Sequence, residues 1–148
     1  MTPGGPLGFP GVFCWEIRGR RKGIEVRIFL LILFGGLGTL ARYGLQGLVQ
    51  ERTGPGFPTG TLAVNLIGCF LLGGIARFSL QSLWISPEWR TALTIGLLGA
   101  FTTFSTFSWE TVQMLKDGEW LRSSVYIGAS LFGGLLGVML GIKTADLL

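Results

Sequence analysis

Residues 102–108 read TTFSTFS, a run made only of hydroxyls and phenylalanines. Each Ser or Thr hydroxyl is a neutral donor and acceptor. Each phenyl ring has a negative face and a positive edge. Phe104 and Phe107 are three apart, so on a helix they share a face. Ring edges can therefore solvate an anion weakly and still let it leave. Spacing alone favours the plainer role for this pair, packing against lipid or core. The backbone here is open to two readings. Gly96 and Gly99 precede the run, glycine weakens a helix, and Ser and Thr compete for backbone hydrogen bonds. On the residues alone, a continuous helix whose hydroxyls bond back to the preceding turn is slightly favoured. A broken helix would free carbonyl oxygens in mid-span, where they can hold a cation.

Other polar groups lie inside apolar stretches, where each needs a partner or a task. Asn65 sits in TLAVNLIG with Thr61 one turn before it, and Tyr126 and Ser130 are four apart on one helix face. Asn65 brings two N–H donors, and Tyr126, Ser130, Ser105 and Thr106 bring O–H donors. Together with the ring edges they make a track of neutral donors with no fixed positive charge at its centre. Such a track suits a small, strongly hydrated anion that must pass quickly. The plainer reading of Asn65 is interhelical glue. Glu110 follows the run and is awkward for an anion path. It lies about 9 Å of helix from Lys116, so either a partly solvated vestibule position or a structural role fits it.

The elements that must position these groups are membrane spans. The 148-residue chain is 49% hydrophobic and 14% charged, with 25 glycines and no histidine. Its apolar residues fall in long runs of the kind that cross a bilayer. Four spans are predicted, at about Val26–Val49, Thr59–Trp84, Glu88–Leu115 and Glu119–Ile142. Trp84, Trp89 and Trp120 fall at span ends, where indole rings favour the headgroup region. Gly35, Gly36 and Gly38 in the first span, and Gly133, Gly137 and Gly141 in the fourth, recur at helical spacing and predict close helix packing without a large central cavity. Residues 1–23, rich in Gly and Pro and ending in basic residues, predict a disordered extension before a four-helix domain over 24–148. Cys14 and Cys69 suggest neither a disulfide framework nor a metal site.

From Ile24 onward, Arg27, Arg77, Arg90 and Lys143 lie on one predicted side, and Arg42, Arg52, Lys116 and Arg122 on the other. Lys/Arg imbalance normally sets orientation, and this core has none. The tail residues Arg18, Arg20, Arg21 and Lys22 shift the count toward an N-in orientation. A balanced core is compatible with insertion both ways and with oppositely oriented copies pairing about a two-fold axis in the membrane plane; chance balance in a short chain is the alternative.

The segments GGLGTLARYGL, GTLAVNLIGCFLLG and GLLGAFTTFSTFSWE resemble the Fluc/CrcB fluoride channels, and the resemblance covers about Arg27 to Ile142 in order. It implies an all-α fold of four transmembrane helices, the third broken mid-span, in an antiparallel dual-topology homodimer in the bacterial plasma membrane. It implies two fluoride pores, each lined by both subunits. Phe104 and Phe107 match the family's pore phenylalanines, Asn65 its pore asparagine, and Thr61 a nearby hydroxyl. Ser105 and Thr106 belong to the same run. Tyr126 and Ser130 fit a polar track on the fourth helix, although the hydroxyl usual one turn later is here Gly134. Backbone carbonyls at Gly99 and Thr102 match a structural sodium site at the dimer axis. Arg42 matches an arginine near the aqueous vestibule, and Glu110 also matches the family.

Two other classes compete. A small dual-topology, proton-coupled transporter needs a membrane-embedded acid, and Glu110 is the sole interior candidate. A non-transporting membrane subunit leaves the polar constellation without a task. The absence of histidine, of an acid pair and of a nucleotide loop argues against an enzyme, and the basic charge, concentrated in the tail, does not indicate nucleic acid. The implied partners are fluoride, the lipid bilayer and a second copy of the chain.

Overall fold

A computed structural model describes residues 21–82 and 85–147. Most of the predicted extension, and Trp84 at the predicted end of the second span, lie outside the described residues. Among the described residues every regular element is helical. Helix α1 spans Arg21–Thr53, so it begins three residues before the boundary predicted at residue 24. It stops where Gly54 takes a positive φ of 82°, a left-handed conformation that ends helices at low cost for glycine. Helix α2 spans Thr59–Gln81. Helix α6 spans Trp120–Ala145 and follows a turn in which Gly118 has a φ of 77°.

The third span differs from one regular helix. It opens with α3 (Pro87–Thr91), whose Pro87 sits in the first turn, where no amide is needed. A π-helical segment, Ala92–Leu98, follows and passes into the short α4 (Gly99–Phe101). Thr102 and Thr103 are extended, with ψ of 160° and 115°, and α5 (Phe104–Lys116) resumes after them. The span is therefore bent, and the continuous helix favoured by the residues alone is overturned. Four stretches, Gly23–Thr53, Thr59–Gln81, Pro87–Lys116 and Trp120–Ala145, are long and apolar enough to cross a bilayer. This is a multi-pass membrane protein.

Glycines set how closely the helices meet. On α6, methyl groups at Gly137 and Gly141 would press on the Leu66 and Phe70 carbonyls of α2, and one at Gly133 on the Leu66 side chain. From α2, Gly73 lies equally close to the Val138 carbonyl. In lipid, packing of this kind drives helix association, and it makes α2 and α6 the tightest pair. Gly38 of α1 lies against the Leu97 carbonyl in the π segment, whereas Gly36 faces open space. Ionic contacts mark the helix ends: Arg27 with Glu88 at 3.7 Å, Arg77 with Asp146 at 2.6 Å and Arg122 with Glu119 at 2.6 Å. Trp89 and Trp120 are exposed at their span ends, as expected for interfacial indoles.

Candidate functional site

The bend is held from outside its own span. The Asn65 side chain of α2 accepts the Thr103 amide at 2.8 Å and donates to the Thr103 carbonyl at 3.0 Å. It thus satisfies both polar backbone groups of an extended residue in a setting with little water. The Thr103 hydroxyl caps α5, accepting from the Thr106 amide at 3.2 Å and pairing with the Thr106 hydroxyl at 2.8 Å. In a continuous helix the amides of Thr103 and Thr106 would bond to the carbonyls of Gly99 and Thr102. Both amides are drawn elsewhere, so these carbonyls lose their helical donors. On the other side of the bend, Arg42 of α1 donates from Nε to the Ala100 carbonyl at 3.2 Å.

The bend also creates helix ends inside the bilayer. The start of α5 carries the partial positive charge of a helix N-terminus, and anions are favoured there. Phe104 and Ser105 stand in that first turn, and both are exposed. Phe104 is 79% exposed on the single chain. Its ring centroid lies 5.7 Å from that of half-buried Phe107, which lies 5.1 Å from Tyr126. Phe57 of the α1–α2 loop packs edge-on to Tyr126 at 5.5 Å. The rings thus form a row from the bend to the loop.

Beyond the rings lies Glu110. Thr61 donates to its Oε1 at 2.8 Å and Tyr126 donates to its Oε2 at 2.7 Å. Tyr126 and Thr61 are buried, and each spends its hydroxyl proton on the carboxylate. Hydrogen bonds to both oxygens are the arrangement that makes a carboxylate tolerable in a partly buried setting. Glu110 also lines an open crevice of about 750 Å³ between the end of α1, the α1–α2 loop, α5 and the start of α6. Gln46, Gln50, Phe57 and Arg122 line it as well.

The sequence-predicted residues therefore divide by place. Asn65, Thr102 and Thr106 meet at the bend around Thr103, which was not among the predicted site residues, with Gly99 and Ser105 flanking it. Thr61, Glu110 and Tyr126 meet one step away at the crevice. Phe104 and Phe107 stand between. Arg42 lies on the bend, and its neighbour Tyr43, not Arg42 itself, lines the crevice. The Ser130 hydroxyl is buried without a hydrogen-bond partner among the described residues. A Cβ at Gly134, one turn later, would lie 3.4 Å from the Cys69 sulfur, so a helix contact occupies the place of a further hydroxyl.

Sequence reasoning passed over Gln46, Gln50 and Phe57. Two glutamines four apart near the end of a crossing helix were the available signal. Gln46 donates to Thr61 at 3.1 Å. Gln50 donates to the carbonyls of Gly54 and Phe57 and accepts the Gly60 amide at 3.1 Å, closing the loop over the crevice.

The chain has clear relatives among known proteins. The family model described as CrcB-like protein, Camphor Resistance (CrcB), matches residues 29–142. A protein of Geobacter metallireducens named "Fluoride-specific ion channel FluC" is 52% identical over 118 residues, covering 80% of this chain and 95% of that protein. One of the same name from Geotalea daltonii is 50% identical over 118 residues, with the same coverage. Another from Nitratidesulfovibrio vulgaris is 43% identical over 121 residues, covering 82% of this chain and 98% of its own. The family match takes in all four spans, the bend and the crevice, and this chain belongs to the CrcB-like family.

Proposed function

We propose that this chain is a fluoride-selective channel of the cell membrane that lets fluoride leave the cell down its gradient. In acid surroundings HF enters, ionises inside and is trapped as fluoride, so a passive exit lowers its toxicity. The family is one of channels, not enzymes. The observation that carries the mechanism is the bent third span. It sets a helix N-terminus, a row of aromatic rings and hydroxyls side by side within a span long enough to cross the bilayer. None of these groups bears a full positive charge, so each can replace part of the water shell of fluoride without trapping the ion.

In this mechanism Phe104, Phe107, Ser105, Thr106 and Ser130 line the route, Thr61 and Tyr126 back it by holding Glu110, and Asn65 holds the bend from which it starts. Glu110 stands beside the vestibule with its charge shared among its donors, and Arg42 steadies the carbonyl end of the upstream half. The route is completed by a second, oppositely oriented copy of the chain. The exposure of Phe104 supports this, because a ring that lines a pore needs a facing wall. The balanced Lys/Arg count of the core supports insertion in both orientations. A structural sodium ion fits the carbonyls of Gly99 and Thr102, which have lost their helical donors. Bound between two copies, it would supply a fixed positive charge at the junction.

A proton-coupled transporter would use Glu110 as its exchanging acid. Here both of its oxygens are engaged, by Thr61 and by Tyr126, in a fixed hydrogen-bonded cluster, and a channel needs no exchanging acid. The test is flux from liposomes containing the purified protein. Fluoride should leave, measured by electrode, while chloride stays, and an imposed proton gradient should drive no uphill movement. Phe104→Ile and Phe107→Ile should each slow fluoride while preserving the oligomer in gel filtration. Equal loss of both halides would overturn the selectivity, and full flux in both variants would remove the rings from the route.

A further inference from the structure

We propose that Gln46 is a positioning residue of the anion route, aiming the single proton of the Thr61 hydroxyl at Glu110. The inference rests on the channel reading above and adds to it a residue that no motif singled out.

Most of the described threonines share a local hydrogen bond that Thr61 does not make. Seven of them, including Thr94 with Arg90 and Thr111 with Phe107, donate their hydroxyl to the carbonyl four residues back. This is the usual local bond for a threonine in a helix. Thr61 instead donates across the fold to Glu110. Two features enforce the exception. The carbonyl four residues back is that of Phe57, and it already accepts the Thr59 amide at 2.8 Å and the Gln50 amide at 3.0 Å. A carbonyl has two lone pairs, so no place is left for Thr61. The second feature is Gln46, whose Nε2 donates to Thr61 Oγ1 at 3.1 Å. A hydroxyl that accepts on one side must turn its proton to another, and the facing acceptor is Glu110 Oε1.

The consequence lies in the crevice, which both Gln46 and Glu110 line. With Thr61 and Tyr126 each bound to one oxygen, the carboxylate charge is spread over two donors. Without the Gln46 amide the Thr61 rotor is no longer fixed, and Oε1 presents a barer negative charge to an anion in the crevice. Gln46 therefore acts on conduction through Thr61, not by touching the ion.

The experiment is a double-mutant cycle on fluoride efflux from liposomes, with Gln46→Met, Thr61→Val and the two combined. Methionine keeps the length of the side chain and removes the amide. Gln46→Met should slow efflux about fivefold, the worth of one neutral hydrogen bond, and Thr61→Val at least as much. The combined variant should match Thr61→Val within about twofold, because residues acting through one contact are not additive. A packing role would not give that convergence. Efflux at the unaltered rate in Gln46→Met, or a slowing that multiplies in the combined variant, overturns the inference. If Gln46→Met fails to fold by gel filtration, Gln46→Ala and Gln46→Leu carry the same comparison. Failure of the unaltered protein to pass fluoride would refute the channel reading itself, a result distinct from any pattern among the variants.

Discussion

Replacing Asn65 with leucine keeps the size of the side chain and removes its polar end. Thr103 then loses the acceptor of its amide, at 2.8 Å, and the donor to its carbonyl, at 3.0 Å. An orphaned buried backbone group costs about 1–3 kcal/mol. Side-chain hydrogen bonds measured inside membranes average lower, about 0.6 and at most about 1.7 kcal/mol, because the chain finds other partners there. Two bonds at the upper part of that range give about 2–3 kcal/mol, with little cavity term since the shape is kept. That is a change of roughly 30- to 150-fold in the folding equilibrium. Unfolding of the purified protein in mixed micelles, followed by tryptophan fluorescence, measures it directly. Amide exchange at Thr103 and Thr106 should rise in the same variant, localising the loss to the bend. A variant within about 0.5 kcal/mol of the unaltered protein, with those amides still protected, would refute the claim that Asn65 splints the third span.

Two other changes probe the packing and the ends. Gly141→Ala drives a methyl into the Phe70 carbonyl and should destabilise by about 1–3 kcal/mol. Gly36→Ala meets nothing within 4 Å and should be neutral or slightly stabilising in the same unfolding assay. At the far end of α6, the Arg77 guanidinium, through its hydrogen bond and charge, and a hydrogen bond from Gln81, hold the Asp146 carboxyl below its ordinary value. A depressed carboxyl stabilises the fold above its unfolded value, near pH 4, and that contribution is lost as pH falls through the folded value. Asp146→Asn should therefore differ from the unaltered protein in thermal midpoint at pH 6–7 and converge with it as pH falls below about 4.

The four spans were legible because long apolar runs and glycine or proline punctuation are local signals. The second-helix start at Thr59 fell where it was expected, and the spans as a whole agree within a few residues. The bend was not decided by its own residues. The run Thr102–Ser108 is compatible with a helix, and what tips it is Asn65, thirty-eight positions earlier in the chain. Composition offers no trace of such a pairing; the likeness to a known family did. The row of donors was read correctly as polar and incompletely as free, since Thr61 and Tyr126 give their protons to Glu110. Glu110 looked awkward because its partners lie on two other helices. The glutamines of α1 carried the same lesson, since their meaning depends on a loop and a hydroxyl that only folding brings near.

The bent span also bears on how the protein is made. By average hydropathy, Pro87–Lys116 is the least oily of the four crossing segments, and on emerging from the insertion machinery it carries its hydroxyl run without a shield. The side chain that will bind Thr103 belongs to α2, which is synthesised first and is already in the bilayer. Chain order thus supplies a waiting partner to the segment least able to enter lipid alone, and it makes the second helix a local chaperone for the third.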